Sequence, residues 1–346
     1  MRVRSYLDWN ATAPLRPEAR AAMGAAMDLV GNPSSVHQEG RAAKAMLERA
    51  RAQVAEALGA LAADVVFVSG ATEAAALAMA GRGLACAEVE HDAVRAWGEG
   101  PLDVSAQGRV VIGEPSRSSV QVANSETGIL QDLPEGLAVS DWTQGFGKVP
   151  LAFDWAGIDM VFVSSHKVGG PKGVGALVMR RGLDVQAQIR GGGQESGRRH
   201  GTENLIGIAG FGAAAEAAAR DLADGLWEPV DKLRIFLEKT LEDAAKSTIL
   251  VGKGAARLPN TSMFITEGWK GETQVMAMDL AGFAVSAGSA CSSGKVKMSG
   301  VLRAMGYSEV EAGSALRVSL GPEVTEGQVA AFCDAWLAAR DKKFAR

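Results

Sequence analysis

Between residues 161 and 173 the chain reads Val161-Phe162-Val163-Ser164-Ser165-His166-Lys167-Val168-Gly169-Gly170-Pro171-Lys172-Gly173. An apolar run that ends in polar residues and then breaks into glycines predicts a buried strand with a loop at its carboxyl end. A lysine held there, beside hydroxyl and imidazole groups, is a candidate for forming a Schiff base. The alternative interpretation is that Lys167 is an ordinary solvated loop lysine.

Short apolar runs of the same kind alternate with helical stretches elsewhere. They are Val65-Val66-Phe67-Val68, Val120-Gln121-Val122-Ala123, Leu137-Ala138-Val139 and Ala176-Leu177-Val178-Met179. Because strands without polar alternation are buried on both faces, the pattern predicts an α/β fold with a mainly parallel sheet. Such sheets bind ligands at the carboxyl ends of their strands. The pattern changes after Leu226-Trp227-Glu228-Pro229, which predicts a domain boundary near residue 225.

The composition is that of a globular protein, with 346 residues of which 47% are hydrophobic and 22% are charged. A net charge of −4 offers no basic surface for nucleic acid. No apolar run is long enough for a membrane span and no signal core follows Met1, so we expect a cytoplasmic protein. Three cysteines cannot make a disulfide framework, and no Cys-x-x-Cys pair indicates a metal site.

Three segments outside residues 161–173 are candidates for ligand binding. Ser69-Gly70-Ala71-Thr72-Glu73 lies between a strand and a helix, where free backbone N–H groups bind anions, although a simple helix cap is the alternative. Asp141, with Gln144 on the same loop, could pair with a protonated ring nitrogen or only form a turn. His91 is one of four histidines, and a lone histidine is more often structural than catalytic.

Glycine density, a strand arginine and one cysteine also indicate function. The run from Gly191 to Gly197 costs conformational entropy unless the backbone approaches a ligand or a partner chain. Arg317 lies inside an apolar run and needs either a substrate carboxylate or an internal salt bridge. Cys291 lies in a loop of small residues near lysines, where a thiolate can be a nucleophile. Cys86 and Cys333 are predicted to be inert, and Cys333 to pack in the core.

Together these segments resemble the cysteine desulfurases, pyridoxal-phosphate enzymes of the class V aminotransferase group. The resemblance runs in order over nearly the whole chain, from Tyr6-Leu7-Asp8 to Arg317–Gly321. The cysteine loop and the Val301–Gly306 segment after it are similar to the group I subtype, which serves iron–sulfur cluster assembly and tRNA thiolation. The resemblance implies a fold-type-I enzyme with a large α/β domain (residues 15–225) and a small α+β domain (1–14 and 226–346).

The resemblance also implies a homodimer that converts L-cysteine to L-alanine and passes the sulfur to a scaffold or carrier protein. The residues it assigns to catalysis are Lys167, which would hold pyridoxal phosphate, Cys291, which would take the sulfur as a persulfide, and His91, which would stack on the ring. The residues it assigns to cofactor binding are Asp141 (ring nitrogen), Gln144 (ring hydroxyl), Ser125, and, for the phosphate, Ala71, Thr72, Ser164, His166 and Thr202 of a second subunit. Arg317 would hold the substrate carboxylate, with Asn124 nearby.

Two departures from the family pattern bear on this interpretation. Ser125 stands where the family usually has a second asparagine, which weakens one cofactor or substrate contact. The segments from His91 to Asn124 and from Gly128 to Asp141 are also shorter than usual, so helical material is missing from the large domain. Two alternatives therefore stay open: another class V enzyme, such as a selenocysteine lyase or a small aminotransferase, and a non-catalytic paralogue that acts as a binding partner in sulfur transfer.

Overall fold

A computed structural model describes residues 4–288 and 298–345. The strands in these ranges are β1 (Ser5–Tyr6), β2 (Ala63–Val68), β3 (Ala85–Ala87), β4 (Pro101–Leu102), β5 (Ser118–Ser119), β6 (Val139–Asp141), β7 (Met160–Ser164), β8 (Gly175–Arg180), β9 (Thr248–Leu250), β10 (Thr261–Thr266), β11 (Phe283–Ala284), β12 (Ser286–Ala287) and β13 (Ala315–Ser319). The α-helices are α1 (Pro17–Met27), α2 (Gln38–Ala57), α3 (Ala71–Met79), α4 (Asp92–Arg95), α5 (Phe153–Ala156), α6 (Leu205–Ala223), α7 (Trp227–Ala244), α8 (Gly271–Ala281), α9 (Gly300–Ala304), α10 (Glu309–Ala312) and α11 (Glu326–Phe344).

The largest sheet has the strand order β2-β8-β7-β6-β5-β3-β4. The pairings from β7 through β6, β5 and β3 to β4 are parallel, whereas β8 is antiparallel to both β2 and β7. The α/β fold with a mainly parallel sheet is therefore confirmed. Because β8 reverses direction between two strands that share a direction, the carboxyl ends of β2, β6 and β7 all lie at one edge.

The apolar strands of this sheet are buried on both faces, as their sequences predict. Val161 and Val163 of β7 join the core beneath α1, α2 and α6, while Phe162 joins a second core with α3. Alternate side chains of one strand thus pack into two different layers. Small residues let α6 approach closely, since a Cβ added at Gly212 would lie 2.8 Å from the Cα of Ala50.

One predicted strand is displaced along the chain. The strand expected at residues 120–123 is instead Ser118–Ser119. Beyond it the backbone continues alongside β6 through single hydrogen bonds, such as Val122 N to Asp141 O at 2.9 Å, without a regular ladder. The carbonyl of Val122 accepts from Gln131 N at 2.9 Å, so this segment also bonds outside the sheet strands.

A second, antiparallel sheet has the order β12-β13-β10-β9 and packs against α7, α8 and α11. The N-terminal strand β1 pairs in parallel with β11, so the first residues of the chain join this later region. Cys333 is fully buried in α11 beside Phe332 and Trp336, which confirms its predicted place in the core. Among the described residues, no helix combines the length and apolar character needed to cross a membrane.

Candidate active site

A cavity of about 640 Å³ lies at the edge of the large sheet where β2, β6 and β7 end. Arg317 of β13 reaches it from the second sheet, and the N-terminal arm at Asn10 to Thr12 forms part of its wall. The predicted site residues that line it are Ala71, Thr72, His91, Ser125, Asp141, Gln144, Ser164, His166, Lys167 and Arg317. Residues separated by almost 250 positions in sequence therefore share one chamber, at the place where α/β sheets bind ligands.

Lys167 follows β7 at the end of the short 3₁₀ turn Ser165–Lys167. Its Nζ donates to the carbonyl of Asn10 at 2.6 Å and to that of Ala11 at 2.9 Å. The lysine is therefore directed into the cavity and held against the N-terminal arm. This geometry differs from that of a solvated loop lysine, the alternative interpretation of the sequence.

Asp141 is the last residue of β6 and lines the cavity. Its Oδ1 accepts a hydrogen bond from Thr143 N at 2.8 Å. Burial raises the pKa of this carboxyl, and the contacts with Thr143 and the charges of His91 and Lys167 oppose the increase. A protonated ring nitrogen placed beside it would favour the carboxylate, because an opposite charge stabilises the ionised form.

His91 precedes the short helix α4 and serves as its N-cap, because its Nδ1 accepts from Ala93 N at 3.1 Å. The same ring lines the cavity. The structural and functional interpretations of this histidine are thus compatible. Accepting from a backbone N–H fixes Nδ1 as unprotonated in this geometry, so any ring proton resides on Nε2.

The part of the cavity wall at the start of α3 is suited to an anion. Helix α3 begins at Ala71, and its N-cap Gly70 has no side chain that could occupy the free N–H groups of the first turn. Ser164 is close to this turn, since a Cβ on Gly70 would lie 3.8 Å from its Oγ, and His166 and Lys172 also line the cavity. Burial, followed by the charges of nearby lysines, lowers the pKa of His166 to about 4, so this imidazole is neutral near pH 7.

Glycine is required where β8 passes this anion-binding part of the wall. A Cβ on Gly175 would lie 2.6 Å from the carbonyl oxygen of Val163 and 2.8 Å from the Cα of Gly70. Neither atom belongs to a flexible side chain that could move aside. The glycine therefore keeps the start of α3 close to the end of β7.

Arg317 is 2% exposed, and both sequence interpretations of it find support. It forms the internal salt bridge, with Nη2 at 2.7 Å from Asp8 Oδ1, while Nη1 donates to Ser125 O at 3.0 Å. Its Nε is buried and has no hydrogen-bond partner in the described part of the chain. A buried guanidinium N–H without a partner is costly, and a carboxylate ligand would satisfy it.

The loop around Ser125 acts mainly through its backbone. The carbonyl of Ser125 accepts from Arg317 and also from Asn10 Nδ2 at 3.1 Å. Asn124 does not line the cavity: its Nδ2 donates to Val89 O at 2.9 Å, and its Oδ1 accepts from the backbone N–H groups of Glu126 and Thr127. The side chain of Asn124 thus holds the loop, and this geometry gives it no contact with a ligand in the cavity.

Of the predicted residues that the structure describes, Thr202 does not line this cavity either. It is exposed and lines a small neighbouring cavity of about 60 Å³, which shares Ser69 and Gly173 with the larger one. Cys291 lies outside the described residues. Burial raises the pKa of Cys86 to about 11 and that of Cys333 to about 12, so neither of these thiols is suited to act as a thiolate near pH 7.

Sequence reasoning missed three contributors to the site. Asn10 offers its backbone carbonyl to Lys167, Asp8 pairs with Arg317, and Lys148 is bonded to Gln144. Asp8 ends Tyr6-Leu7-Asp8, the first segment of the family resemblance, and Lys148 follows Gln144 by four residues, so both lie beside segments that the sequence already indicated. A backbone carbonyl such as that of Asn10 leaves no signal in the side-chain pattern.

The cavity fits pyridoxal phosphate. Lys167 supplies an amine for the aldehyde, Asp141 a carboxylate for the ring nitrogen, and the start of α3 a group of donors for the phosphate. The partnerless Nε of Arg317 would serve an amino-acid carboxylate beside it. When bound, this cofactor supplies an electron sink for charge that develops at the substrate α-carbon.

Comparisons with known proteins agree with this site. The chain matches the aminotransferase class-V family model over residues 5–99 and 99–332. It is 38% identical to a cysteine desulfurase of Cereibacter sphaeroides over 94% of this chain and 93% of the relative. It is 34% identical to the cysteine desulfurase IscS of Dictyoglomus turgidum, over 94% and 92% of the two chains.

Solved structures lead to the same group. A NifS-like protein from Rickettsia africae superposes with a TM-score of 0.88 and 31% identity, covering 99% of this chain and 100% of that one. Since curated desulfurases align over nearly the full length, they favour this activity over the aminotransferase and lyase alternatives. The chain therefore belongs to the class-V aminotransferase family and, within it, to the pyridoxal-phosphate-dependent cysteine desulfurases.

Proposed function

We propose that this enzyme converts L-cysteine to L-alanine and leaves the sulfur as a persulfide on Cys291. The observation that carries the proposal is the single cavity that joins Lys167, Asp141 and the partnerless Nε of Arg317. An amine, a carboxylate for the ring nitrogen and a guanidinium donor are the groups that a pyridoxal enzyme acting on an amino acid requires.

The residues that line the cavity have the following proposed tasks in this reaction. Arg317 binds the substrate carboxylate and so orients the α-carbon toward Lys167, whose amine takes the Cα proton. Asp141 would keep the nitrogen of the pyridoxal ring protonated, His91 would stack on the ring and Gln144 would contact its hydroxyl. Ala71, Thr72, Ser164 and His166 would hold the phosphate. The Cys291 thiolate attacks the substrate sulfur, the carbon–sulfur bond breaks, and the carbon product takes up protons to become alanine.

We further propose a homodimer in which Thr202 contributes to the site of the partner subunit. Thr202 is exposed and does not line the large cavity of its own chain, although the small cavity that it lines shares Ser69 and Gly173 with it, and an exposed threonine there is available for a contact across an interface. Glu195 and Ser196, in the same segment, adopt left-handed φ values of 48° and 58°. Such strain in non-glycine residues is characteristic of functional segments. Light scattering should give twice the monomer mass, and a monomer with full cofactor occupancy would contradict the dimer.

The cellular role is also part of the proposal. The sulfur acceptor would be a scaffold or carrier protein of iron–sulfur cluster assembly or another sulfur-transfer route, in the cytoplasm. The resemblance of the Val301–Gly306 segment to the group I subtype supports this role. The division into a large domain over residues 15–225 and a small domain over the rest is likewise proposed, supported by the pairing of β1 with β11.

The purified enzyme tests the reaction directly. With L-cysteine and a reductant it should release sulfide and alanine in equal amounts. Lys167→Ala should abolish turnover together with the visible absorbance of bound cofactor, whereas Lys232→Ala, which changes an exposed lysine on α7, should alter neither. Normal turnover and a normal spectrum in the Lys167 variant would refute the assignment.

Persulfide mapping tests the sulfur-accepting residue. Cys291→Ser should bind cofactor and cysteine normally but form no persulfide, whereas Cys86→Ser and Cys333→Ser should still form it. Mass spectrometry of each protein after a single turnover identifies the modified cysteine. A persulfide on Cys86 or Cys333 would show that Cys291 is not the acceptor.

A further inference from the structure

Lys148 is a buried lysine next to the cofactor site to which the reaction described above assigns no task. Its side chain is 3% exposed, and among residues 4–288 and 298–345 no carboxylate forms an ion pair with it. Its Nζ donates to the backbone carbonyl of Gln144 at 3.1 Å and to Gln144 Oε1 at 3.0 Å. Burying a charged amine without a counter-ion lowers the stability of the folded protein, so a functional reason for a lysine at this position is expected.

The first consequence concerns the orientation of the Gln144 amide. The two ends of a glutamine amide have nearly the same shape, so hydrogen-bond partners decide which end points where. Lys148 donates to the oxygen end and can do so whether its amine is charged or neutral. The Nε2 end of Gln144 is thereby directed to the carbonyl of Asn10, at 2.9 Å.

The second consequence concerns Lys167. The carbonyl of Asn10 that accepts from Gln144 also accepts from Lys167 Nζ at 2.6 Å. A continuous series of hydrogen bonds therefore runs from Lys148 through Gln144 to the carbonyl that holds Lys167. Gln144 is 5% exposed and lines the cavity, so a change in the orientation of its amide changes the wall of the cofactor site.

The charges around Lys148 couple it to the same site. Burial, followed by the charges of Lys167 and Arg317, lowers the pKa of Lys148 to about 7. Lys148 in turn is one of three lysines, with Lys167 and Lys172, whose charges lower the pKa of His166. Removal of the Lys148 charge should therefore change the electrostatic potential at the cofactor site.

We propose that Lys148 is a positioning residue of the cofactor site: it holds the Gln144 amide with its NH₂ group, and not its oxygen, toward Asn10 and Lys167. The inference rests on the proposed role of Lys167 as the residue that anchors pyridoxal phosphate. Without Lys148 the Oε1 end of the amide loses its donor, so the amide is held only by its bond to the Asn10 carbonyl and its position beside Lys167 becomes less well defined. The environment of the Lys167 nitrogen then changes, although neither catalytic group has been altered.

A double-mutant cycle tests the link. Lys148→Met, Gln144→Met and the double variant are loaded with pyridoxal phosphate, and the pH midpoint of the visible absorbance change is measured for each. Lys148→Met should shift the midpoint by about half a pH unit or more, as expected for the loss of an ordinary hydrogen bond. In the Gln144→Met background the same change should cause little further shift. No shift, or an equal shift in both backgrounds, would overturn the proposal.

Lys172→Met provides the matched control for removal of a positive charge. Lys172 also lies at the cavity but is exposed and forms no contact with Gln144 among the described residues. Its effect on the midpoint should be the same in the presence and absence of Gln144. A dependence on Gln144 as large as that of Lys148 would mean that charge, and not the contact, connects Lys148 to the site.

A measurement on the unsubstituted protein decides the question if Lys148→Met does not fold. The ¹⁵N side-chain amide resonance of Gln144, identified by its loss in Gln144→Met, should change with a midpoint near pH 7 as Lys148 titrates. A resonance that is constant between pH 6 and pH 9 would refute the contact. If Lys167→Ala keeps the visible band, the proposed function itself fails, whereas loss of that band with no Lys148 effect refutes this inference alone.

Discussion

Two clusters of buried charge in this molecule are built on opposite plans. In the first, Glu238 of α7 accepts hydrogen bonds from Arg257 at 2.8 and 2.9 Å, from Arg234 at 3.1 Å and from Ser262 at 2.6 Å. Burial opposes its ionisation, but these donors outweigh that effect and lower the pKa of Glu238. This cluster is a saturated ion network.

The second cluster, at the cavity, is left incompletely paired. Lys148 has no carboxylate partner among the described residues, Arg317 keeps a buried Nε without a partner, and burial raises the pKa of Asp141. Removing one member of a fully paired ion network destabilises the folded protein. A buried charged group that lacks a partner can instead gain free energy by binding a ligand. The contrast predicts that changes in the first cluster affect stability and that changes in the second affect function.

Between the two clusters, the largest expected effect is that of Arg317→Met. It should lower kcat/KM for cysteine by about 100-fold or more, because removing one partner of a buried, hydrogen-bonded charge pair costs about 2–5 kcal/mol. Steady-state kinetics at matched cofactor occupancy measures this loss. Arg257→Met removes a buried arginine from the saturated network and should leave kcat/KM of the folded protein unchanged. Equal losses of kcat/KM in Arg317→Met and Arg257→Met would contradict the proposed difference between the two clusters.

Glu238→Gln should affect stability and leave catalysis intact. Arg234 and Arg257 would lose their carboxylate, and breaking such a buried pair typically costs about 3 kcal/mol. Urea unfolding should reveal this decrease in the free energy of unfolding, while kcat/KM at matched cofactor content stays at the level of the unsubstituted protein. A large kinetic defect with normal stability would mean that the network belongs to the active site.

The pH dependence of stability should reveal that Lys148 is buried without a carboxylate partner among the described residues. Its pKa falls from an ordinary value of 10.5 to about 7 on folding, so between these values the unfolded chain binds more protons than the folded one. Stability from this group therefore rises as the pH increases from about 7 to 10.5. Over this pH range, the melting temperature of the unsubstituted protein should rise relative to that of Lys148→Met. A difference that is constant with pH would show that Lys148 is not desolvated.

The smallest expected effect is that of Ser125→Asn. The Arg317 contact uses the backbone carbonyl at this position, so the substitution leaves it in place. An asparagine side chain can add the donor that the family usually has here, worth about 1 kcal/mol, so kcat/KM for cysteine should rise several-fold. Steady-state kinetics of the two proteins measures the change. Unchanged or lower efficiency would mean that the pocket has adapted to serine.

Much of the site could be predicted from local sequence. The remainder could not, and the structure gives the physical reason in each case. Asp141 ends a strand and Lys167 closely follows one, and the apolar pattern of both strands is plain, so the position of these residues at the sheet edge followed from periodicity. The strand expected at residues 120–123 was misplaced because this segment, beyond Ser119, bonds to β6 and to Gln131 only through single backbone hydrogen bonds, which the apolar pattern does not reveal. Asn124 was taken for a substrate contact, whereas its amide is used by Val89 and by its own loop.

The sequence by itself determined the α/β fold, the family and the strand-end residues that approach the cofactor, because these depend on patterns within short segments. Only the tertiary structure decided which buried charges are paired. Arg317 meets Asp8 across 309 positions, and Lys167 shares the Asn10 carbonyl with a glutamine oriented by Lys148. Such pairings depend on distances of about 3 Å between segments far apart in the chain, and short-range sequence patterns carry no information about those distances.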